Sequence, residues 1–333
     1  GWCARPIAEV AHAAAAAPGS RLAWPAEPAG AVIALGVVAL AIVATVRCGR
    51  RVRVAAAVAA VGVATAAMLG ADAGRGPALD GWAFVACDVG QGDMLLVRSG
   101  PSSAVVIDTG PPGGGARECL RRHGVVRVPL LVLTHPHEDH DGAVASVLAV
   151  ADVDQAWVSA PGAATASAGV LRAAGVSVTV PVRGARWDGG DAALRVVSVL
   201  HEDATAAPND ASVAVVAASG STTLLALGDL ELDGQRAMRA ASDVSGGWSV
   251  DVVKVAHHGS AVQVPVLAAR VDAPLAVVSV GRANRYGHPT AEALDLYGAR
   301  AVQVLRTDLC GDIAVARDGE VLEWSPCPTD VAR

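Results

Sequence analysis

One lysine, one phenylalanine and two tyrosines are all that the 333 residues hold. Aromatic residues make up 3% of the chain, too few for a broad platform on which nucleobases could stack in series. A formal net charge of -6 excludes a global basic footprint for nucleic acid. The six cysteines, Cys3, Cys48, Cys87, Cys119, Cys310 and Cys327, form no Cys-x-x-Cys pair, which speaks against a structural zinc knuckle. No internal repeat and no low-complexity segment is visible. Positive charge is almost all arginine, because Lys254 is the sole lysine. The 53% hydrophobic content is largely Ala and Val, a bias that reads as compositional drift rather than function.

What is present begins with two uncharged runs. PAGAVIALGVVALAIVATV covers residues 28–46, and VAAAVAAVGVATAAMLGA covers residues 54–71. Each approaches the ~20 residues that cross a bilayer as a helix. RCGRRVR lies between them and carries Arg47, Arg50, Arg51 and Arg53. The pattern predicts a two-helix transmembrane hairpin over 28–71 with a basic cytoplasmic loop, 47–53. Residues 1–27 then form an extracytoplasmic or interfacial segment, 72–80 a Gly/Pro-bearing linker, and 81–333 a domain outside the cytoplasm. The second run is only marginally apolar, so a buried helical hairpin is the competing reading. The abrupt start at Gly1 reads as the C-terminal part of a longer membrane protein.

From Gly81 onward, short β-rich runs dominate: WAFVACDV, MLLVRS, AVVIDT, VPLLVLT, QAWVSA, VSVTVP, LRVVSVL. SVAVVAAS and TTLLALGD form a hairpin around Gly220. GAVASVLAVA, ELDGQRAMRAAS and AEALDLYGA read as helices. Strands that pair locally and then alternate with helices predict a layered α/β domain, two sheets between helices. The segment CGDIAVARDGEVLEWSPC reads as a hairpin turning at Asp318-Gly319, with Cys310 and Cys327 facing each other. A disulfide and two separate thiols are both open there.

Polar residues recur where strands end. Asp108 ends AVVIDTG, and His135, His137, Asp139 and His140 follow VPLLVLT in THPHEDHDG. Asp229 ends LLALGDLE, His257 and His258 end DVVKVAHHGS, and His288 lies in SVGRANRYGHP. Strand ends along one sheet edge converge, so these positions can build one site. Imidazole and carboxylate suit Zn²⁺, Mn²⁺ or Fe²⁺, and the expected cofactor is a pair of divalent ions, Mn²⁺ or Zn²⁺. Two histidines two residues apart can grip one ion, and the following Asp-His pair a second. Two ions about 3.5–4 Å apart activate water and stabilise charge on a scissile phosphate or carbonyl. His12 and His123 fit no motif and read as ordinary surface residues.

HPHEDH followed by GD and HHGS resembles the metallo-β-lactamase superfamily. More narrowly, DVGQGD, VIDTG, LTHPHEDHDG, NDASVAVV, LLALGDLE, DVVKVAHHGS and SVGRANRYGHP together resemble the C-terminal hydrolase domain of ComEC-type competence proteins. Those are bacterial membrane proteins that carry transforming DNA across the cytoplasmic membrane. The resemblance spans about Gly81 to Pro326, and the two apolar runs resemble the end of the family's channel domain. It implies an αββα sandwich, His135 and His137 on one metal, Asp139 and His140 on the other, and Asp229 bridging. One of His257 and His258 completes a site, with His258 slightly preferred. Asp108 would orient a ligand histidine. His288, with Asn284 and Tyr286 nearby, would hold a substrate phosphate or protonate the leaving oxygen. The superfamily usually supplies another histidine before the bridging Asp. His201 is the only one in that interval; it is either a ligand or a surface residue, and Asn209 or Asp210 of NDAS is the alternative approach to the site.

The function expected is a two-metal phosphodiesterase, a DNase that works on incoming DNA at the outer side of the cytoplasmic membrane. Asp139, Asp229 and His288 would be its catalytic residues. Its partners would be DNA, the membrane, the rest of a DNA-uptake channel and competence proteins. Residues 81–333 hold 19 basic and 28 acidic residues, so charge lends little support. The alternatives are a metallo-hydrolase of another ester, lactonase-like or phosphorylcholine esterase-like, and a non-catalytic domain that binds or gates DNA.

Overall fold

Alternation along the strands divides the core of the computed structural model. The structure describes residues 79, 81–241, 247–301, 303–325 and 327. In Leu95–Gly100, Leu95 and Val97 face one apolar cluster while Leu96 faces another, as the two-residue period of a strand requires. Such a strand is buried on both sides, and both of its faces need cover.

Two sheets supply one cover. The first runs Val321–Trp324, Ile313–Asp318, Phe84–Ala86, Leu95–Gly100, Ser103–Ile107, Leu131–Leu133, Gln155–Val158, Ser177–Thr179. The second runs Gln303–Arg306, Leu275–Val278, Val252–Lys254, Thr222–Ala226, Val215–Ser219, Ala192–Val196, Arg186–Gly189. Phe84, Val97, Val105 and Ile107 of the first meet Leu194, Val215, Leu224 and Val277 of the second in one buried cluster. Helices supply the outer covers. Leu120, Val144, Val147 and Leu171 close the far face of the first sheet, from Ala116–Arg122, Val144–Leu148 and Ala166–Ala173. Met238, Leu267 and Tyr297 close the second, from Leu232–Ala240, Pro265–Ala268 and Ala291–Gly298. The described residues therefore form the expected αββα sandwich.

The expected transmembrane hairpin, 28–71, lies outside the described residues. Among the described residues no helix is long and apolar enough to cross a membrane.

Several local expectations shift. The C-terminal hairpin pairs Asp318 with Val321, so it turns at Gly319-Glu320, one residue later than expected. Cys310 sits at the end of the helical turn Thr307–Cys310 rather than on a strand, yet it is bonded to Cys327. Cys87 and Cys119 form a second disulfide, joining the end of Phe84–Ala86 to Ala116–Arg122. Ala166–Ala173 is a helix that apolar spacing did not announce; the Thr165 side chain accepts from Ala168 N and starts it. His123 is buried beside Trp82, 3.2 Å from Asp312 Oδ2, and is not a surface residue.

Candidate metal centre

Parallel strands set the position of the site. Ser103–Ile107 and Leu131–Leu133 run parallel in the first sheet. Thr222–Ala226, Val252–Lys254, Leu275–Val278 and Gln303–Arg306 run parallel in the second. Asp108, His135, Asp229, His257 and His258 all follow the C-terminal ends of these strands. The DVGQGD loop lies directly on the histidine loop. Asp93 N donates to Asp139 O at 3.1 Å, and a Cβ on Gly92 would stand 2.2 Å from that oxygen. Only glycine permits this approach.

Four donor atoms converge. Asp229 Oδ2 is 3.2 Å from His140 Nε2 and 3.2 Å from His258 Nε2. Asp139 Oδ2 is 3.3 Å from His258 Nε2 and 3.9 Å from His140 Nε2. Three of these four separations are close to the about 3.4 Å between ligands at 2.0–2.1 Å around a tetrahedral Zn²⁺. His140 Nε2 and His258 Nε2 are buried without a hydrogen-bond partner among the described residues. Unmet buried nitrogens are costly, and a metal ion satisfies both. These residues fit a divalent metal.

The far nitrogen of each ring is held. His140 Nδ1 is 2.9 Å from Asp108 Oδ2, and His258 Nδ1 donates to Ser279 O at 2.9 Å. Each Nδ1–H leaves the Nε2 lone pair for a metal. Asp108 also accepts from Thr134 N and Thr134 Oγ1, both at 2.7 Å. The Thr134 hydroxyl proton is thereby committed, so Thr134 Oγ1 accepts from His135 Nδ1, 3.1 Å away. That turns the His135 Nε2 lone pair inward, 3.1 Å from His137 Nδ1. His135, His140 and Asp229 each offer a donor within 4.8 Å of the others. His137 is exposed and completes a rim around this second position.

Charge is concentrated here. Burial disfavours the His140 imidazolium, but Asp229 and Asp108 outweigh burial and push its pKa up to about 10. His258 is raised as well, against burial, by Asp229 and Asp93. Burial would raise the Asp229 carboxyl, but His140, His258 and Lys254 hold it well below the usual range. Burial drives His135 the other way, well below an ordinary histidine, and His140 adds to the effect. Without a metal, protons on His140 and His258 stand in for its charge.

The remaining expected residues divide by what they touch. His258, not His257, supplies the fourth donor. His257 is partly exposed, with Nδ1 3.1 Å from Glu231 Oε1 and Nε2 3.8 Å from Asp229 Oδ2. Both sit in the left-handed region, at φ 48 and 53, which costs about 1–2 kcal/mol per residue. Asn209 reaches the centre indirectly, donating to Glu231 Oε1 at 2.9 Å. Asp210 does not face it: its Oδ1 accepts from Glu231 N and Gly234 N at the start of Leu232–Ala240. His201 is neither ligand nor surface residue. It is fully buried, with Nε2 2.7 Å from Pro181 O and Nδ1 3.0 Å from Ser198 Oγ. Both of its nitrogens are spent, so it cannot stand in for the superfamily's extra histidine. Asn284 holds its own loop: it accepts from Tyr286 N and His288 N and donates to His288 O. That loop carries His288 to 5.3 Å from the His257 ring and leaves Tyr286 exposed beside it.

Two residues at the centre carried no sequence assignment. Asp93 and Lys254 are both buried and form an ion pair behind Asp229. A lone lysine inside the apolar run VVKVA was the available signal. A second group, Cys119, His123 and Asp312, lies within reach of one ion, but Cys119 is bonded to Cys87 and has no thiolate to offer.

Comparison with known proteins shows the family. Residues 87–270 match the metallo-beta-lactamase superfamily. ComE operon protein 3 of Bacillus subtilis (strain 168) is 28% identical over 269 residues, 72% of this chain and 34% of that protein. Competence protein ComA of Neisseria gonorrhoeae is 30% identical over 239 residues, 67% of this chain and 30% of that protein. The chain thus spans roughly a third of the length of the curated relatives it matches. Among solved structures, the metallo-beta-lactamase fold protein YhfI from Bacillus subtilis aligns with a TM-score of 0.44 at 10% identity, covering 73% of this chain and 98% of that one.

Proposed function

The chain belongs to the metallo-β-lactamase superfamily, and from that premise we propose that it is a metal-dependent phosphodiesterase, a DNase acting on DNA during uptake. The observation that carries this reading is the four-donor cluster of Asp139, His140, His258 and Asp229 at the strand ends. Asp139, His140, His258 and Asp229 would hold a divalent ion, Zn²⁺ or Mn²⁺, which when bound would supply an activated water and offset charge on a phosphate. A second ion would take His135, His137 and Asp229. Asp108 and Ser279 O orient the rings, and Thr134 keeps the His135 Nε2 lone pair inward. The relative named a competence protein supports DNA as substrate, and competence proteins as partners. Exposed Tyr286 and Arg285, beside His288, offer one face for a nucleobase and one charge for a phosphate.

We place the domain outside the cytoplasmic membrane. The basic stretch 47–53, between two uncharged apolar runs in the sequence, supports that placement by the positive-inside rule. The Cys87–Cys119 and Cys310–Cys327 disulfides suit an oxidising compartment.

The test is cleavage of labelled single- and double-stranded DNA by the metal-stripped chain, with Mn²⁺, Zn²⁺ or no metal added, beside Asp139→Ala. Metal-dependent cleavage that disappears in the variant is expected. Intact DNA with metal bound would move the reading to another ester substrate.

A further inference from the structure

The chain's one lysine is in the least hospitable place for a charge. Lys254 ends the strand Val252–Lys254, in the interior of the second sheet, and is 1% exposed. Burying an ammonium costs several kcal/mol unless it is fully paired, and an apolar residue there would fold as well or better. Its three donors have three acceptors: Asp93 Oδ2 in an ion pair, Gly228 O at 3.0 Å and Asp229 Oδ1 at 3.4 Å. Asp93 in turn places Oδ1 3.3 Å from His258 Nδ1 and its backbone N–H on Asp139 O. His140 Nδ1 lies 3.8 Å from Asp93 Oδ2, so the pair lies against all four residues that present metal donors.

The two oxygens of Asp229 are treated differently. Oδ1 meets Lys254, while Oδ2 lies 3.2 Å from both His140 Nε2 and His258 Nε2. A free carboxylate beside a divalent ion can chelate it with both oxygens and raise its coordination number. Here the ammonium occupies one of them. We propose that Lys254 is a positioning residue that confines Asp229 to a single donor oxygen, Oδ2, and so keeps the centre at low coordination with room for water and substrate. Asp93 is the counter-charge that lets the lysine stay buried. A catalytic metal needs such an open position, and a saturated one does not bind substrate.

This inference rests on the reading that the cluster binds a divalent metal, and Co²⁺ tests the two separately. Low-coordinate Co²⁺ absorbs visible light much more strongly than six-coordinate Co²⁺. The whole chain, loaded with Co²⁺, is compared with Lys254→Met, Asp93→Asn and the double variant. The double variant removes both charges, so it leaves no unpaired buried ion to prevent folding. Wild type and Asp93→Asn are expected to show the strong spectrum, because both retain Lys254 on Oδ1. Lys254→Met and the double variant are expected to bind Co²⁺ and lose most of that absorption as Asp229 closes on the ion with both oxygens. Wild-type absorption in the folded double variant at saturating Co²⁺ overturns the proposal. Equal loss in Asp93→Asn also overturns it, since the effect would not belong to Lys254. No Co²⁺ uptake by the wild-type chain would instead defeat the metal reading on which both stand.

Discussion

Asp108→Asn isolates the residue that aims His140. Asp108 is 1% exposed and takes three donors: Thr134 N, Thr134 Oγ1 and His140 Nδ1. A carboxylate can only accept. An amide at the same place must turn one N–H₂ toward a donor, either Thr134 or the His140 ring. Backbone strain does not confuse the result, because Asp108 sits at φ 60 and Asn tolerates that region as Asp does. Loss of the carboxylate removes a charge-assisted bond and frees the ring to turn or change tautomer. Residues that orient metal-ligating histidines are typically worth about 10–100-fold in metal affinity, or roughly 1.4–2.7 kcal/mol. The assay is competition for Zn²⁺ or Mn²⁺ between the whole chain and a chelator of known affinity, with thermal unfolding as the folding control. A folded variant whose affinity stays within about twofold of wild type would refute the argument, because His140 would then not need Asp108.

Replacing Gly92 with Ala sets a Cβ 2.2 Å from Asp139 O, so the DVGQGD loop must shift; metal affinity is expected to fall while the rest of the fold survives, measured by the same competition and by circular dichroism. Reducing the disulfides is expected to cost about 3 kcal/mol for Cys310–Cys327, separated by 17 residues, and about 4 for Cys87–Cys119, separated by 32, in denaturant titrations with single Cys-pair variants as controls. Burial would raise the Asp312 carboxyl, but the His123 hydrogen bond, Arg122 and Asp88 N–H hold it below the usual range. Its folded pKa is therefore depressed, so its contribution is present above pH ~4 and fades as pH falls below that. Asp312→Asn is expected to lose about 1–3 kcal/mol near neutrality and much less in strong acid; an equal loss at both pH values in urea titrations would contradict this.

The candidate site was largely legible because its donor residues are packed into short stretches. His135, His137, Asp139 and His140 lie within six consecutive positions, and a histidine at a strand end is conspicuous in a chain with nine. Spacing says where a residue is in the chain, but not which way its ring turns. His201 occupied the expected interval, yet its nitrogens go to Pro181 O and Ser198 Oγ, a pairing that only the folded loop brings together. Asp210 belonged to a recognisable motif, but its carboxylate is used to start a helix. Fold class came from strand periodicity, and the same rule failed where composition diluted it. Ala166–Ala173 is eight residues long, five of them Ala, Gly or Ser, and buries Ala168 and Leu171, so it does not stand out in a chain this rich in Ala. The Cys87–Cys119 bond joins elements with no local relation, which spacing cannot reveal.

Lys254 marks where a rule of thumb concealed a signal. Scarcity of lysine across the chain reads as drift, and drift predicts that any survivor sits on the surface. The survivor is instead buried beside Asp93, Asp229 and, one ring further, Asp108. With Asp139 these are four carboxylates around one centre, against one permanent cation. So uneven a set cannot remain dry and charged on its own. Protons on His140 and His258 offset part of it in the metal-free protein, and a divalent ion must expel those protons to bind. The lysine cannot be expelled in that way, because it lies behind the donors rather than among them. It is the portion of the balancing charge that would stay if a divalent ion bound.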